Sequence, residues 1–326
     1  MAGLDKYQSM RDFEKTAEPS GRADPNLSEF ERKGTPRFVV QEHHATALHW
    51  DFRLEKDGVL VSWAVPRGLP PDPRVNHLAV HTEDHPLSYF DFEGDIPRGE
   101  YGGGNVILWD QGTYEEEKFS EREVMVTLHG ERAKGKHVLF RTDGKNWMIH
   151  RMDPAEDPSR ELMPADPRPL EPVAGDLPTD PAGWRFAIAW KGTRAAVSVD
   201  GGRCSARTAK GDDVTKKWPE LGLFGRAVGA LPIVFTGVLV RSAPKTATFF
   251  LEDIVWLDGH PTGSLPFASR RSLLDELELE GESWRTSPLY DDPGVLLEAA
   301  RAQGLPGVLG FRDDAPLEAP VLVSAD

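Results

Sequence analysis

His49, Asp51 and Arg53 put an imidazole, a carboxylate and a guanidinium at two-residue spacing in one short stretch. In an extended strand, side chains two apart project from one face, so these three share a side while Trp50, Phe52 and Leu54 go to the core. Imidazole and carboxylate together suit a divalent transition metal with positions left for substrate or water. His43, at the end of the preceding predicted strand, supplies a second imidazole. Arg53 adds a planar fork of donors matched to phosphate or carboxylate oxygens. The same donor set also describes a non-haem iron oxygenase, although no cosubstrate site is evident. A second cluster follows at His77, His81, Asp84, His85 and Tyr89. Asp84-His85-Pro86 reads as a turn from which an imidazole reaches a bound group, so His85 is expected to face substrate and, as a further expectation, to donate a proton. His44, His81, His129, His137 and His150 are expected to be structural or solvent-exposed.

Short strands separated by turn residues must position these groups. From Arg37 to Arg151 the pattern predicts an all-β barrel or sandwich. Phe38-Val39-Val40 opens it, and Lys56-Asp57-Gly58 turns the 48–54 strand back into Val59–Val65 as a hairpin. Further strands are expected at 77–81, 106–109, 123–128, 138–141 and 147–151. The run Glu100-Tyr101-Gly102-Gly103-Gly104-Asn105 precedes a strand instead of opening a helix, which predicts a bend with close backbone packing and not a phosphate cradle. Residues 1–36, polar and broken by Pro19, Gly21 and Pro25, read as a flexible arm. Eight prolines within 154–183 read as a linker between the 37–153 domain and a second one at 184–326. That second half alternates strands (185–190, 194–199) with amphipathic helices (269–277, 294–303), an α+β pattern.

Composition narrows the classes. With 326 residues the chain has room for two domains, and its net charge of −15 leaves no global positive field to draw it onto nucleic acid, so any such contact must be local. A lone Cys204 excludes an intrachain disulfide framework and a thiolate zinc cage, and points to a reducing cytoplasm. No apolar run approaches a membrane span or signal peptide. Nine of the ten histidines fall in the first 150 residues. The chemistry is therefore expected there.

The stretches Phe38-Val39-Val40-Gln41-Glu42-His43, Leu48-His49-Trp50-Asp51-Phe52-Arg53-Leu54, Ser62-Trp63-Ala64-Val65-Pro66, Glu83-Asp84-His85-Pro86-Leu87 and Phe92-Glu93-Gly94-Asp95-Ile96-Pro97 resemble, in order, the 3′-phosphoesterase module of bacterial DNA ligase D. The resemblance implies a small β-barrel that binds Mn²⁺ and removes 3′ ribonucleotides and 3′-phosphates from DNA or DNA/RNA ends during non-homologous end joining, alongside other end-joining proteins. It implies that His43, His49 and Asp51 hold the metal, that Arg53 and His85 engage the scissile phosphate, and that Tyr89 supports the site. It further implies functional roles for Arg11, Asp12 and Glu18 in the arm, against the reading of that arm as flexible. Two positions depart from the family pattern: Arg67 stands for a lysine, and His77 for a phosphate-contacting arginine. Both are expected near the phosphate.

The second half resembles the nucleotidyltransferase domain of ATP-dependent DNA ligases in a degenerate form. Ala189-Trp190-Lys191-Gly192-Thr193-Arg194 occupies the place of Lys-x-Asp-Gly-x-Arg, so Ala189 stands for the lysine that takes AMP. Phe235-Thr236-Gly237-Val238-Leu239 lacks the acids of the Asp-Gly-Glu motif, and Phe311 replaces a phosphate-binding lysine. No ligase OB domain is expected in the short stretch after Phe311. The expectation is a 3′-end-processing phosphoesterase joined to an inactive ligase-like domain; the non-enzyme alternative is a DNA-repair scaffold.

Overall fold

A computed structural model describes residues 4–21, 34–155, 157–229, 231–243 and 246–325. The chain forms two compact units, Met1–Pro158 and Ser159–Asp326. The first holds a short helix α1 (Asp5–Ser9) and nine strands: β1 (Arg37–His44), β2 (Leu48–Lys56), β3 (Val59–Val65), β4 (Asn76–His81), β5 (Gly94–Ile96), β6 (Gly104–Phe119), β7 (Glu123–His129), β8 (Lys134–Asp143) and β9 (Asn146–Arg151). Eight of them close an antiparallel barrel in the order β1-β2-β3-β4-β9-β8-β7-β6, with β6 pairing back onto β1 and β5 added to β6. Closure leaves no free edge among the eight, and it settles the choice between barrel and sandwich.

Period-two alternation sets the two faces of the wall. Phe38, Phe52 and Trp63 turn inward, with ring centroids 6.4 and 6.3 Å apart along the series, and Trp147 meets Trp63 at 5.7 Å. On the outer face of β1–β3 lies a second apolar layer instead of solvent. Tyr7, Val39, Leu60, Leu87, Tyr89, Phe90, Phe92, Ile96 and Val106 pack there, drawn from the arm, the barrel wall and the 82–103 connection. The reading of the arm as flexible is thus corrected for its described part, residues 4–21; Pro25 lies outside the described residues. Tyr7 is fully buried, and burying an aromatic ring of about 150–250 Å² at about 25 cal/mol per Å² contributes on the order of 4–6 kcal/mol.

The second unit contains two sheets. One runs β10 (Val173–Ala174), β20 (Val321–Ser324), β19 (Gly307–Arg312), β11 (Trp184–Ala189). The other runs β13 (Arg203–Arg207), β12 (Thr193–Asp200), β14 (Ile233–Ala243), β15 (Thr246–Leu257), β18 (Trp284–Thr286), β17 (Glu280–Gly281), with β16 (His260–Pro261) beside β15. Helices α2 (Leu221–Val228), α3 (Phe267–Glu276) and α4 (Pro293–Ala302) complete an α+β domain. The proline-rich stretch is not a free linker beyond residue 158. Val173 and Gly175 donate to Pro320 and Leu322, and Glu161 donates to Gly259, so extended proline-rich chain lies along the sheet edge, where missing N–H groups cost nothing.

Candidate active site

The β1–β2 register places His43 opposite His49, Gln41 opposite Asp51 and Val39 opposite Arg53, all on the outer face of the barrel wall. The ligand atoms of His43, His49 and Asp51 lie within 4.8 Å of one another. Each imidazole is tied to a backbone carbonyl by one nitrogen. His43 Nε2 donates to Gly102 O at 2.8 Å, and His49 Nδ1 donates to Ala47 O at 3.0 Å. A carbonyl can only accept, so in the neutral rings His43 Nδ1 and His49 Nε2 carry lone pairs. Those atoms face Asp51 Oδ2 and Oδ1 at 3.4 and 3.6 Å. Lone pairs turned toward a carboxylate repel it unless a cation lies among them, and this donor chemistry fits a divalent metal.

Arg53 organises the carboxylate. Its guanidinium is buried and donates to Asp51 Oδ2 (2.9 Å), Gln41 Oε1 (2.8 Å) and Ser62 Oγ (2.9 Å), and it stands over the Tyr89 ring at 4.8 Å. Burial works to raise the Asp51 pKa, but the Arg53 guanidinium beside it overrides that and holds the carboxyl well below the usual carboxylate range.

The arm brings a second network onto this face. Glu18 accepts from Arg11 Nε (2.8 Å), Thr16 Oγ1 (3.0 Å) and the Tyr89 hydroxyl (3.1 Å). Arg11 also donates to Glu83 at 3.2 Å and lies 3.2 Å from His85 Nε2. His85 Nδ1 donates to the Glu83 carbonyl at 2.9 Å, so Nε2 accepts from Arg11. Burial, with Arg53 and Arg11 close by, pushes the His85 pKa well down. The expectation of His85 as proton donor is therefore corrected: its ring is neutral and its free lone pair is already filled by a group that can only donate.

Of the expected site residues, His43, His49, Asp51, Arg53, His85, Tyr89, Arg11 and Glu18 converge here. Asp12 does not. It is on the surface, paired with Lys15 at 2.8 Å and accepting from the Glu14 N–H. His77 does not either. The β3–β4 register aligns Trp63 with His81, so His77, four residues earlier, points into the barrel, away from the triad, and donates from Nδ1 to Gly68 O at 2.8 Å. Burial lowers its pKa, with nearby Arg67 adding to the effect. Arg67 itself is exposed on the connection after β3. Sequence reasoning missed Gln41, Ser62, Glu83, Thr16 and the Gly102 carbonyl. Gln41 was recoverable, because it shares the parity of His43. The Gly102 contact depends on a glycine turn with φ 75° and carried no side-chain signal.

Residues 41–141 match the family described as the DNA Ligase D 3′-phosphoesterase domain. The barrel unit belongs to this family. The multifunctional non-homologous end joining protein LigD of Mycolicibacterium smegmatis is 36% identical over 339 residues, covering 96% of this chain and 43% of the relative. The LigD of Pseudomonas aeruginosa is 31% identical over 381 residues, covering 95% and 45%. The chain thus spans less than half the length of these DNA-repair relatives. Among solved structures, the ligase domain of M. tuberculosis LigD aligns with a TM-score of 0.41 at 24% identity, covering 47% of this chain and 58% of that one. No helix among the described residues is long and apolar enough to cross a membrane.

Proposed function

We propose that the barrel unit is a manganese-dependent phosphoesterase that removes 3′ ribonucleotides and 3′-phosphates from DNA ends in double-strand-break repair, acting in the cytoplasm on nucleoid DNA with other end-joining proteins. The observation that carries this reading is the pair of imidazoles, each turned by a backbone carbonyl so that its free nitrogen meets Asp51 beside a buried guanidinium. His43 Nδ1, His49 Nε2 and the Asp51 carboxylate would hold the ion. When bound, a divalent cation supplies Lewis-acid stabilisation to a non-bridging phosphate oxygen.

The chain's own charges explain why the ion matters for binding as well as chemistry. Around the triad, Arg11 and Arg53 are buried together with Glu18, Asp51 and Glu83. With the exposed Lys6 ammonium 3.9 Å from Glu83, these three carboxylates are balanced by three cationic groups, and a divalent cation held by the triad would make the pocket attractive to phosphate. Arg53 keeps Asp51 ionised and aimed, and Arg11 holds the arm and the His85 loop against the wall. Arg53, bonded as it is to protein partners, acts on the phosphoryl group through positioned charge and not through a free donor, while the neutral His85 accepts from Arg11 and holds that guanidinium in place.

The ligase-like unit, in this reading, is inactive as a nucleotidyltransferase. Ala189 offers no amine at the end of β11, and Phe311 stacks on Phe267 with centroids 4.6 Å apart where a phosphate-binding lysine would be needed.

A primer–template ending in a 3′ ribonucleotide, incubated with Mn²⁺ and resolved with end-label, tests the proposal: 3′-phosphate or 3′-OH products are expected. Absence of any product across Mn²⁺, Co²⁺, Zn²⁺ and Mg²⁺ would reject it in favour of a non-catalytic end-binding scaffold.

A further inference from the structure

Among the described residues, the tyrosines beside the triad differ in exposure. Tyr7 and Tyr89 are 0% and 2% exposed, whereas Tyr101 is 45% exposed. Tyr101 directly precedes Gly102, whose carbonyl fixes the His43 ring. It is pinned at both ends. Its hydroxyl donates to Glu83 Oε2 at 3.3 Å, and the Arg11 guanidinium lies 5.4 Å from its ring centroid. Its backbone enters a turn that admits no side chain: a Cβ on Gly103 would meet Pro97 O at 2.8 Å, and one on Gly104 would meet His44 O at 2.4 Å. The run Glu100–Asn105 was read from sequence as a bend with close packing, and that bend holds one ring open to solvent at the rim of the metal-ligand cluster.

A rigid, half-exposed ring with its polar tip already satisfied has a flat apolar face left for a partner. Every nucleobase has a complementary π-face, so such a ring grips a strand end without regard to sequence. The need for such a grip is set by charge. A chain of net charge −15 has little long-range attraction for DNA, so a short-range contact beside the metal site adds affinity that the overall charge does not supply.

We propose that Tyr101 is a base-stacking residue, which packs on the base of the terminal nucleotide whose 3′ phosphate or ribose enters the triad site. This rests on the reading of the triad as a 3′-end site.

The test compares binding of the full chain, by fluorescence anisotropy in Mn²⁺, to two duplexes that differ only in whether the 3′-terminal nucleotide carries a base or is abasic. Wild type should bind the base-bearing end about 5- to 100-fold more tightly. Tyr101→Leu should erase that difference while leaving the abasic end bound as in wild type. Tyr101→Phe, which keeps the ring and loses only the Glu83 tether, should retain most of it. A Mn²⁺-dependent rise in melting temperature in Tyr101→Leu serves as the check that the triad is still built. If Tyr101→Leu weakens both ends equally, Tyr101 only props the Gly102 turn and the proposal is overturned. Wild type that cleaves 3′ ends but does not discriminate between the two overturns Tyr101 alone; wild type that neither binds nor cleaves them overturns the 3′-end reading and this proposal with it.

Discussion

His49→Ala separates metal binding from folding, and the structure sets the size of both effects. The His49 side chain is 21% exposed, and its Nδ1 bond to Ala47 is a local one at the β1–β2 turn. Losing one such bond costs about 0.5–1.5 kcal/mol. At about 2–4 °C per kcal/mol for a unit of this size, the metal-free melting temperature should fall by about 1–6 °C. Metal binding acts oppositely in wild type. An ion at a hundredfold excess over its dissociation constant stabilises the native state by about 2.7 kcal/mol, which converts to a rise of about 5–11 °C. In the variant only His43 and Asp51 remain of the triad, and the rise should vanish at the same Mn²⁺ concentration. Differential scanning calorimetry of the full chain, following whichever transition moves with metal, reads both numbers. Equal metal-dependent shifts in wild type and variant, or none in wild type up to millimolar Mn²⁺, would refute the triad as a metal site without reference to activity.

Glu18→Gln removes the charge shared by Arg11, Thr16 and Tyr89. Hydrogen bonds to charged groups contribute about 1.5–3 kcal/mol, so protease cleavage within residues 4–21 should become about 10- to 150-fold faster with the barrel intact, and an unchanged rate would contradict the clamp. His137 sits in the barrel wall near Arg151, Asp153 and His150, and its burial pushes its pKa down to about 4. Its folded value is below the unfolded one of about 6.5, so the unfolded state takes up the proton first. Its contribution is complete above pH 6.5 and lost as pH falls toward 4, on the order of 3 kcal/mol. Urea denaturation at pH 7.5 and 5 should show a slope that His137→Gln flattens. Label transfer from α-labelled ATP should give no adenylated protein in wild type, nor in Ala189→Lys, because Val238 and Phe311 still lack the carboxylate and amine the chemistry needs; labelling of Ala189→Lys would show that Ala189 alone accounts for the inactivity.

Much of the site was legible because the hairpin 48–65 is short and regular. Counting by twos from His49 gives Asp51 and Arg53, and the opposing strand brings His43 into register. The same counting fails across the 66–75 connection. The family resemblance predicts His77 near the phosphate, yet parity carried through Trp63 and His81 turns it into the barrel. The arm was misread for a different reason. Tyr7 and Phe13 are isolated apolar residues among polar ones, and their value comes from a partner surface, including Leu87 and Phe90, that lies some eighty residues away in sequence.

Local periodicity thus determined which residues form strands and which side chains share a face, since alternation is a property of a single extended segment. Burial of Asp51 and Arg53, the orientation of both imidazoles and the neutral state of His85 were decided only by tertiary structure. Each depends on groups supplied from elsewhere in the chain: the Gly102 carbonyl, the Arg11 guanidinium and the apolar layer that the arm lays over the outer wall. A carboxylate's charge and an imidazole's lone pair are fixed by what surrounds them, and no single strand carries its own surroundings.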